Sequence, residues 1–244
     1  MTFFRKLWAT YGILLFFLLW GTLVPFYFLA FLFFPKKWRK SIIWFSHQIY
    51  TRILFTLTLI KIKVEGHQHL DPSKTYILVS NHRSSIDFMV NARAYPGVYK
   101  FLAKKELVKV PVFGYIVRKM CVLVDRSSPA SRAASMACLR DTLAEGYSVF
   151  LYPEGTRNKS NAPLLPFHKG AFKIAIESGY PIAIQTIVNA GDVCGKTTSF
   201  DLCPGVVRVV WSKPIDVEGM EVKDVHRLSE QVRAEMLKNL STFE

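Results

Sequence analysis

Thr75-Tyr76-Ile77-Leu78-Val79-Ser80, followed at once by Asn81-His82-Arg83-Ser84-Ser85-Ile86-Asp87, is the stretch on which the fold turns. Its first six residues read as a buried strand built on the apolar run Tyr76-Ile77-Leu78-Val79, of the kind that is covered on both faces. Ser84 then offers a cap for a helix running to about Ala94. Strand and helix signals keep alternating downstream. Ile62–Val64 is a short strand before the Gly66 turn, and Ser128-Pro129 opens a helix that Gly146 ends. Tyr147–Tyr152 reads as a strand, and Ala171–Ser178 as a helix closed by Gly179. Pro181–Val188 and Val206–Trp211 are further strands, and Val225, Leu228, Val232, Met236 and Leu240 mark an amphipathic last helix. The expected fold is α/β, a mixed central sheet flanked by helices over residues 61–244.

Residues 1–60 have a different texture. Leu7 through Phe34 carry no charge, and as one helix they would be about 42 Å long against a hydrocarbon core of about 30 Å. Gly21 and Pro25 sit mid-run, where the helix can break. Arg5 and Lys6 precede the run, and Lys36, Lys37, Arg39 and Lys40 come after it. Basic flanks at both ends favour a helical hairpin dipping into the cytoplasmic face of a membrane, with a single span as the alternative. The run is too long for a cleaved signal peptide and ends in no small-x-small site. Trp38 to Ile60 reads as a second helix, with Ile42, Phe45, Ile49 and Ile53 on one line.

The chain carries a net charge of +14, and residues 1–60 contain seven basic side chains and no acidic one. Long apolar runs separate these charges, which suits an anionic membrane surface and not nucleic acid. Cys121, Cys138, Cys194 and Cys203 form no CxxC pair and no ligand cluster, so reduced thiols and no metal site are expected. A Cys194–Cys203 disulfide is the minority alternative.

His82 and Asp87 supply an imidazole base and a carboxylate to orient it, with no serine or cysteine in an evident elbow to act as nucleophile. The attacking hydroxyl would then belong to the substrate. Within one helix five residues turn about 500°, so the two meet only if His82 precedes the helix. The competing reading is a capping box, Ser84 with Asp87. After the next strand comes Tyr152-Pro153-Glu154-Gly155-Thr156-Arg157, where Arg157 offers a planar fork for phosphate and Gly155 permits close backbone approach. Glu154 would hold Arg157 or an acceptor hydroxyl, or the segment is a surface turn with a local ion pair. Lys105 and Arg126 both come after apolar stretches and would line an anion site.

In this order the segments resemble the four signature blocks of the glycerophospholipid acyltransferase superfamily, close to the lysophosphatidic acid acyltransferases. Asn81-His82 through Asp87 matches the first block, and Lys104-Lys105-Glu106-Leu107 through Asp125-Arg126 the second. Tyr152–Arg157 matches the third and Gly179-Tyr180-Pro181-Ile182 the fourth, with Phe167–Phe172 between them. The likeness covers roughly residues 61–188. Ile184 stands where the fourth block often has a second proline, which bears on the shape of the acyl pocket.

The resemblance implies transfer of a fatty acyl group from acyl-CoA or acyl carrier protein to the sn-2 hydroxyl of lysophosphatidic acid, without cofactor or metal. His82 would be the base and Asp87 its orienter, with Lys105 or backbone N–H groups near the helix start as donors to the oxyanion. Arg157, Glu154, Gly155 and Thr156, with Arg126, would hold the acceptor phosphate. Another lysophospholipid or lyso-aminolipid acceptor, or a transacylase, is the alternative within the class. A non-catalytic binder of anionic lipids is the alternative outside it.

Overall fold

A computed structural model describes residues 3–109, 112–125, 129–195, 198 and 200–243 of the chain. It begins with α1 (Phe3–Phe33), α2 (Arg39–Phe45) and α3 (Thr51–Leu57), the last two joined by a π-helical stretch, Ser46–Tyr50. Then come β1 (Ile60–Glu65), β2 (Ile77–Ser80), α4 (Asp87–Ala94), β3 (Tyr99–Lys104), α5 (Phe113–Met120) and β4 (Cys121–Val124). The order closes with α6 (Pro129–Ala144), β5 (Ser148–Leu151), α7 (Gly170–Ser178), β6 (Ile182–Ile187), α8 (Ala190–Val193), β7 (Gly205–Trp211) and α9 (Val225–Ser241).

The seven strands form one sheet in the order β1-β7-β6-β2-β5-β3-β4. All neighbours are parallel except β6 and β7, so the sheet is mixed as expected. β2 and β6 are buried at every position, as mostly apolar strands are in the middle of a sheet covered on both faces, and they take Ser80, Gln185 and Thr186 into the interior with them. One face packs against α6, α7 and α9 through Leu143, Phe172 and Val232. The other packs against α1, α3 and α4 through Leu15, Leu54 and Val90. Each fully buried Leu, Ile or Phe contributes about 1.5–3 kcal/mol. Because β2 to β6 all run the same way, the segments leaving their C-terminal ends gather on one edge of the sheet. That edge is where open α/β sheets bind ligands.

The N-terminal region differs from expectation in one respect. α1 runs unbroken through Pro25. Proline there removes only the bond to the Gly21 carbonyl, and contacts with α2, α3 and their flanks hold the helix along its length. Trp8 Nε1 donates to the Thr58 carbonyl at 3.2 Å, the Tyr50 hydroxyl donates to that of Phe16 at 3.1 Å, and Phe31 packs with Ile43. α1 thus runs antiparallel to α2 and α3. The hairpin turn falls after Phe34, at the Lys36–Trp38 turn, and not at Gly21–Pro25. The outer side of α1 leaves Leu14, Phe17, Leu18 and Phe26 exposed. Over α1 as a whole, length and apolar composition are sufficient to cross a membrane. The four cysteines are free thiols, and Cys194 pairs with Leu202 across an isolated bridge.

Candidate active site

β2 ends at Ser80, and the next residue extends the ladder with its side chain. Asn81 Nδ2 donates to the Ile187 carbonyl and Asn81 Oδ1 accepts the Ile187 N–H, both at 2.8 Å. The amide so mimics one more strand residue and fixes where the chain leaves the sheet. His82 comes next, with both of its backbone groups held. Its N–H donates to Glu154 Oε1 at 2.8 Å, and its carbonyl accepts the Asn158 N–H at 2.7 Å.

The helix begins only at Asp87, so His82 lies on the non-helical approach, as a meeting of the two side chains requires. His82 Nδ1 is 2.8 Å from Asp87 Oδ2. The same oxygen accepts the N–H groups of Arg83 (2.7 Å) and Ser84 (2.8 Å). Capping and orienting therefore do not compete for Asp87, because one carboxylate oxygen does both. Ser84 completes no capping box: its hydroxyl donates to the Cys194 carbonyl at 2.9 Å. A carboxylate that accepts from Nδ1 puts the proton there and leaves the Nε2 lone pair outward. Among the described residues Nε2 has no partner, and the His82 side chain is 21% exposed.

Tyr152, just past β5, stacks on the imidazole with centroids 4.1 Å apart and planes 14° apart. Its hydroxyl accepts Asn91 Nδ2 at 2.6 Å, one turn along α4 from Asp87. Burial, reinforced by the Asp87 charge, pushes the Tyr152 phenol well above its ordinary range and keeps it neutral. Sequence reasoning misses this pair. The signals that could have found it are the placement of Tyr152 at a strand end and the i, i+4 spacing of Asp87 and Asn91.

Glu154 is placed differently from the expectation that it holds Arg157 or a substrate group. It is 2% exposed, and its two oxygens accept the N–H groups of His82 and Leu165, each at 2.8 Å. Burial raises its pKa, with these two bonds opposing the shift. Gly155 turns the chain in the left-handed region (φ +71°), where an added Cβ would lie 2.6 Å from the His168 ring. Thr156 is exposed. Arg157 is half-buried, and its Nη1 is buried without a hydrogen-bond partner among the described residues. Lys105 is the exposed first residue of a 3₁₀ turn after β3, on the same sheet edge, and touches neither His82 nor Asp87 through a hydrogen bond or ion pair. Arg126 lies outside the described residues. The Arg83 and Ser84 amides at the helix start are taken by Asp87.

Two cavities meet at Tyr152. One, of about 490 Å³, is walled almost wholly by apolar side chains, among them Phe16 and Leu23 of α1, Phe88 and Met89 of α4, and Val117 of α5. The other, of about 640 Å³, is more polar and includes Ser135, Arg140, Gly155, His168 and Lys173. No cluster of three or more His, Cys, Asp or Glu with metal-ligand placement occurs among the described residues.

Comparison with known proteins gives a consistent picture. A family profile described as Acyltransferase matches residues 61–188. The human 1-acyl-sn-glycerol-3-phosphate acyltransferase alpha is 34% identical over 181 residues, covering 73% of this chain and 63% of that protein. A Schizosaccharomyces pombe protein described as an uncharacterized acyltransferase is 30% identical over 191 residues, covering 77% of this chain and 68% of that one. The chain spans less than two thirds of the length of the mammalian relatives. The crystal structure of the 1-acyl-sn-glycerophosphate (LPA) acyltransferase PlsC from Thermotoga maritima superposes with a TM-score of 0.80. That match has 21% sequence identity and covers 98% of this chain and 99% of that one, a likeness of fold.

Proposed function

The chain belongs to the acyltransferase family, and on that premise we propose that it moves a fatty acyl group from a thioester to the sn-2 hydroxyl of lysophosphatidic acid, producing phosphatidic acid. The observation that carries this reading is the His82–Asp87 contact of 2.8 Å, with His82 clamped at both backbone groups and Nε2 left without a partner among the described residues.

Nε2 takes the proton of the acceptor hydroxyl as its oxygen attacks the thioester carbonyl. Asp87 favours the imidazolium that forms, as the carboxylate of a catalytic triad does. The tetrahedral intermediate collapses with cleavage of the carbon–sulfur bond, and the imidazolium returns its proton to the departing thiolate. No acyl-enzyme is formed. The Arg83 and Ser84 amides are engaged by Asp87, so the oxyanion falls to Lys105 or to another backbone N–H at the helix start. Arg157, whose buried nitrogen lacks a partner among the described residues, holds the acceptor phosphate together with Arg126. Gly155 and Thr156 shape the turn that presents it. Glu154 acts one step back, through the His82 backbone.

The apolar cavity beside Tyr152 suits the fatty chain of an acyl-CoA or acyl carrier protein donor. α1 contacts the domain from Trp8 to Phe31, so we place it in the cytoplasmic membrane interface, its exposed apolar side in the lipid and the basic residues at headgroup level. The acceptor then reaches the site without leaving the bilayer. The test is a panel of lysophospholipid acceptors offered with one labelled acyl donor, products identified by mass. Turnover of lysophosphatidic acid supports the assignment. Turnover confined to acceptors without a phosphomonoester overturns it.

A further inference from the structure

Asp87 is served on one side only. Its Oδ2 takes three donors, while Oδ1 is buried without a hydrogen-bond partner among the described residues. One turn along α4, Asn91 gives Nδ2 to Tyr152 and leaves Oδ1 in the same condition. Gln185 of β6 is fully buried, and neither atom of its amide is bonded among the described residues. Each such atom costs about 1–3 kcal/mol, and native proteins contain few.

The sheet brings these side chains to one face. Ala183, Leu78 and Phe150 form a row across β6, β2 and β5 and pack in one cluster with Ala92 and Tyr95, at and just beyond the end of α4. Side chains recur on one face of a strand every second residue. Gln185 pairs directly with Ser80, and Tyr152 comes directly after Leu151, the partner of Val79. The next row on the face under α4 is therefore Gln185, Ser80 and Tyr152. One step further along β6, Ile187 packs with Ile86 and Val90. Gln185 thus lies beneath the stretch of α4 that carries Asp87 and Asn91, which are 1% and 0% exposed. Ser80 between them is short, and its hydroxyl is turned to the Asn81 carbonyl at 3.1 Å.

The donors and acceptors complement one another. The helix offers two oxygens and the strand an amide whose nitrogen donates. One water would give a proton to each oxygen and accept from Gln185 Nε2, within the two to four bonds a buried water makes. We propose that Gln185 is a positioning residue for the His82–Asp87 pair, bound through one buried water to Asp87 Oδ1 and Asn91 Oδ1. This rests on the reading of that pair as base and orienter. The other ionisable groups around the pair are Tyr152, from the end of β5, and Glu154 and Arg83, which reach it through His82 and its loop.

Two variants and two readouts test it. Gln185→Leu keeps the volume and removes the amide. kcat/KM is expected to fall about tenfold or more, as loosened positioning does, with substrate KM values unchanged and the His82 Nδ1 proton resonance displaced. Gln185→Glu preserves the shape and sets a second carboxyl beside Asp87, so the two share one proton. Activity is then lost as pH rises and the shared proton leaves, on top of the acid-side loss that an imidazole base shows, giving a limb that the wild type lacks. A role in packing alone would lower the melting temperature and move neither the pH profile nor the resonance. A wild-type pH profile in Gln185→Glu together with an undisplaced resonance in Gln185→Leu overturns the proposal. If the leucine variant does not fold, the glutamate variant carries the test through its pH profile. The resonance needs no turnover, so its outcome stands apart from that of the acyltransferase assignment.

Discussion

Replacing Glu154 by glutamine separates a carboxylate that positions the base from one that binds substrate. Both oxygens hold a backbone N–H at 2.8 Å, from His82 and from Leu165, at a residue that is 2% exposed. Glutamine keeps one acceptor and turns an NH₂ group against the other N–H. A hydrogen bond to a charged group contributes about 1.5–3 kcal/mol, and a buried donor left unmet costs about 1–3 kcal/mol. Removing the buried charge recovers part of this, because burial already raises the Glu154 pKa and so disfavours the ionised form. A net loss of about 2 kcal/mol is the expected outcome.

The pH dependence has a definite sign. A carboxyl whose folded pKa is raised stabilises most below its unfolded value and loses that contribution as pH rises through the folded value. The gap between wild type and Glu154→Gln should therefore be widest in acid and shrink towards neutral pH. Chemical denaturation in detergent micelles at several pH values measures it. In activity, kcat should fall about ten- to a hundredfold because His82 shifts, with the acceptor KM unchanged. An unchanged kcat with a raised acceptor KM would refute the positioning role, as would a stability loss below about 0.5 kcal/mol, the range of an inert surface change.

Three other substitutions probe neighbouring contacts. Asp87→Asn keeps the shape, and its carbonyl oxygen can still take the three donors that Oδ2 takes, but it removes the charge that favours the imidazolium and should lower kcat by about 10²–10⁴-fold, measured with donor saturating. Tyr152→Phe keeps the ring on His82 and removes the acceptor for Asn91 Nδ2, costing about 1 kcal/mol on thermal denaturation while kcat stays within a few-fold. Gly155→Ala sets a Cβ against the His168 ring in left-handed backbone and should destabilise by about 1–2 kcal/mol, seen as a lowered melting temperature.

The strand–loop–helix from Thr75 to Asp87 is legible because each signal in it is local: an apolar run, a polar break, a helix start. The mixed α/β sheet comes from repeating that pattern. β3, α5 and β4 are not legible as elements, since Tyr99–Val124 mixes lysines with short apolar pieces that fit either periodicity. The continuation of α1 through Pro25 is hidden for a related reason. Hydropathy is uniform through α1, Pro25 is its most conspicuous breaker, and only pairing with residues 43–58 shows where the chain reverses. Proximity in sequence assigns Glu154 to its neighbour Arg157, whereas its partners lie 72 and 11 residues away. Contacts of that range leave no local trace. The Tyr152 ring on His82 and the Gln185 amide under α4 are of the same kind.

The central claim is that His82 Nε2 removes the proton of the acceptor hydroxyl. Acyl transfer to lysophosphatidic acid by purified wild type and His82→Ala in the same micelles, with matched melting temperatures, tests it most directly. The account requires a loss of about 10²–10⁴-fold in kcat. Activity of the alanine variant within about tenfold of wild type would contradict it.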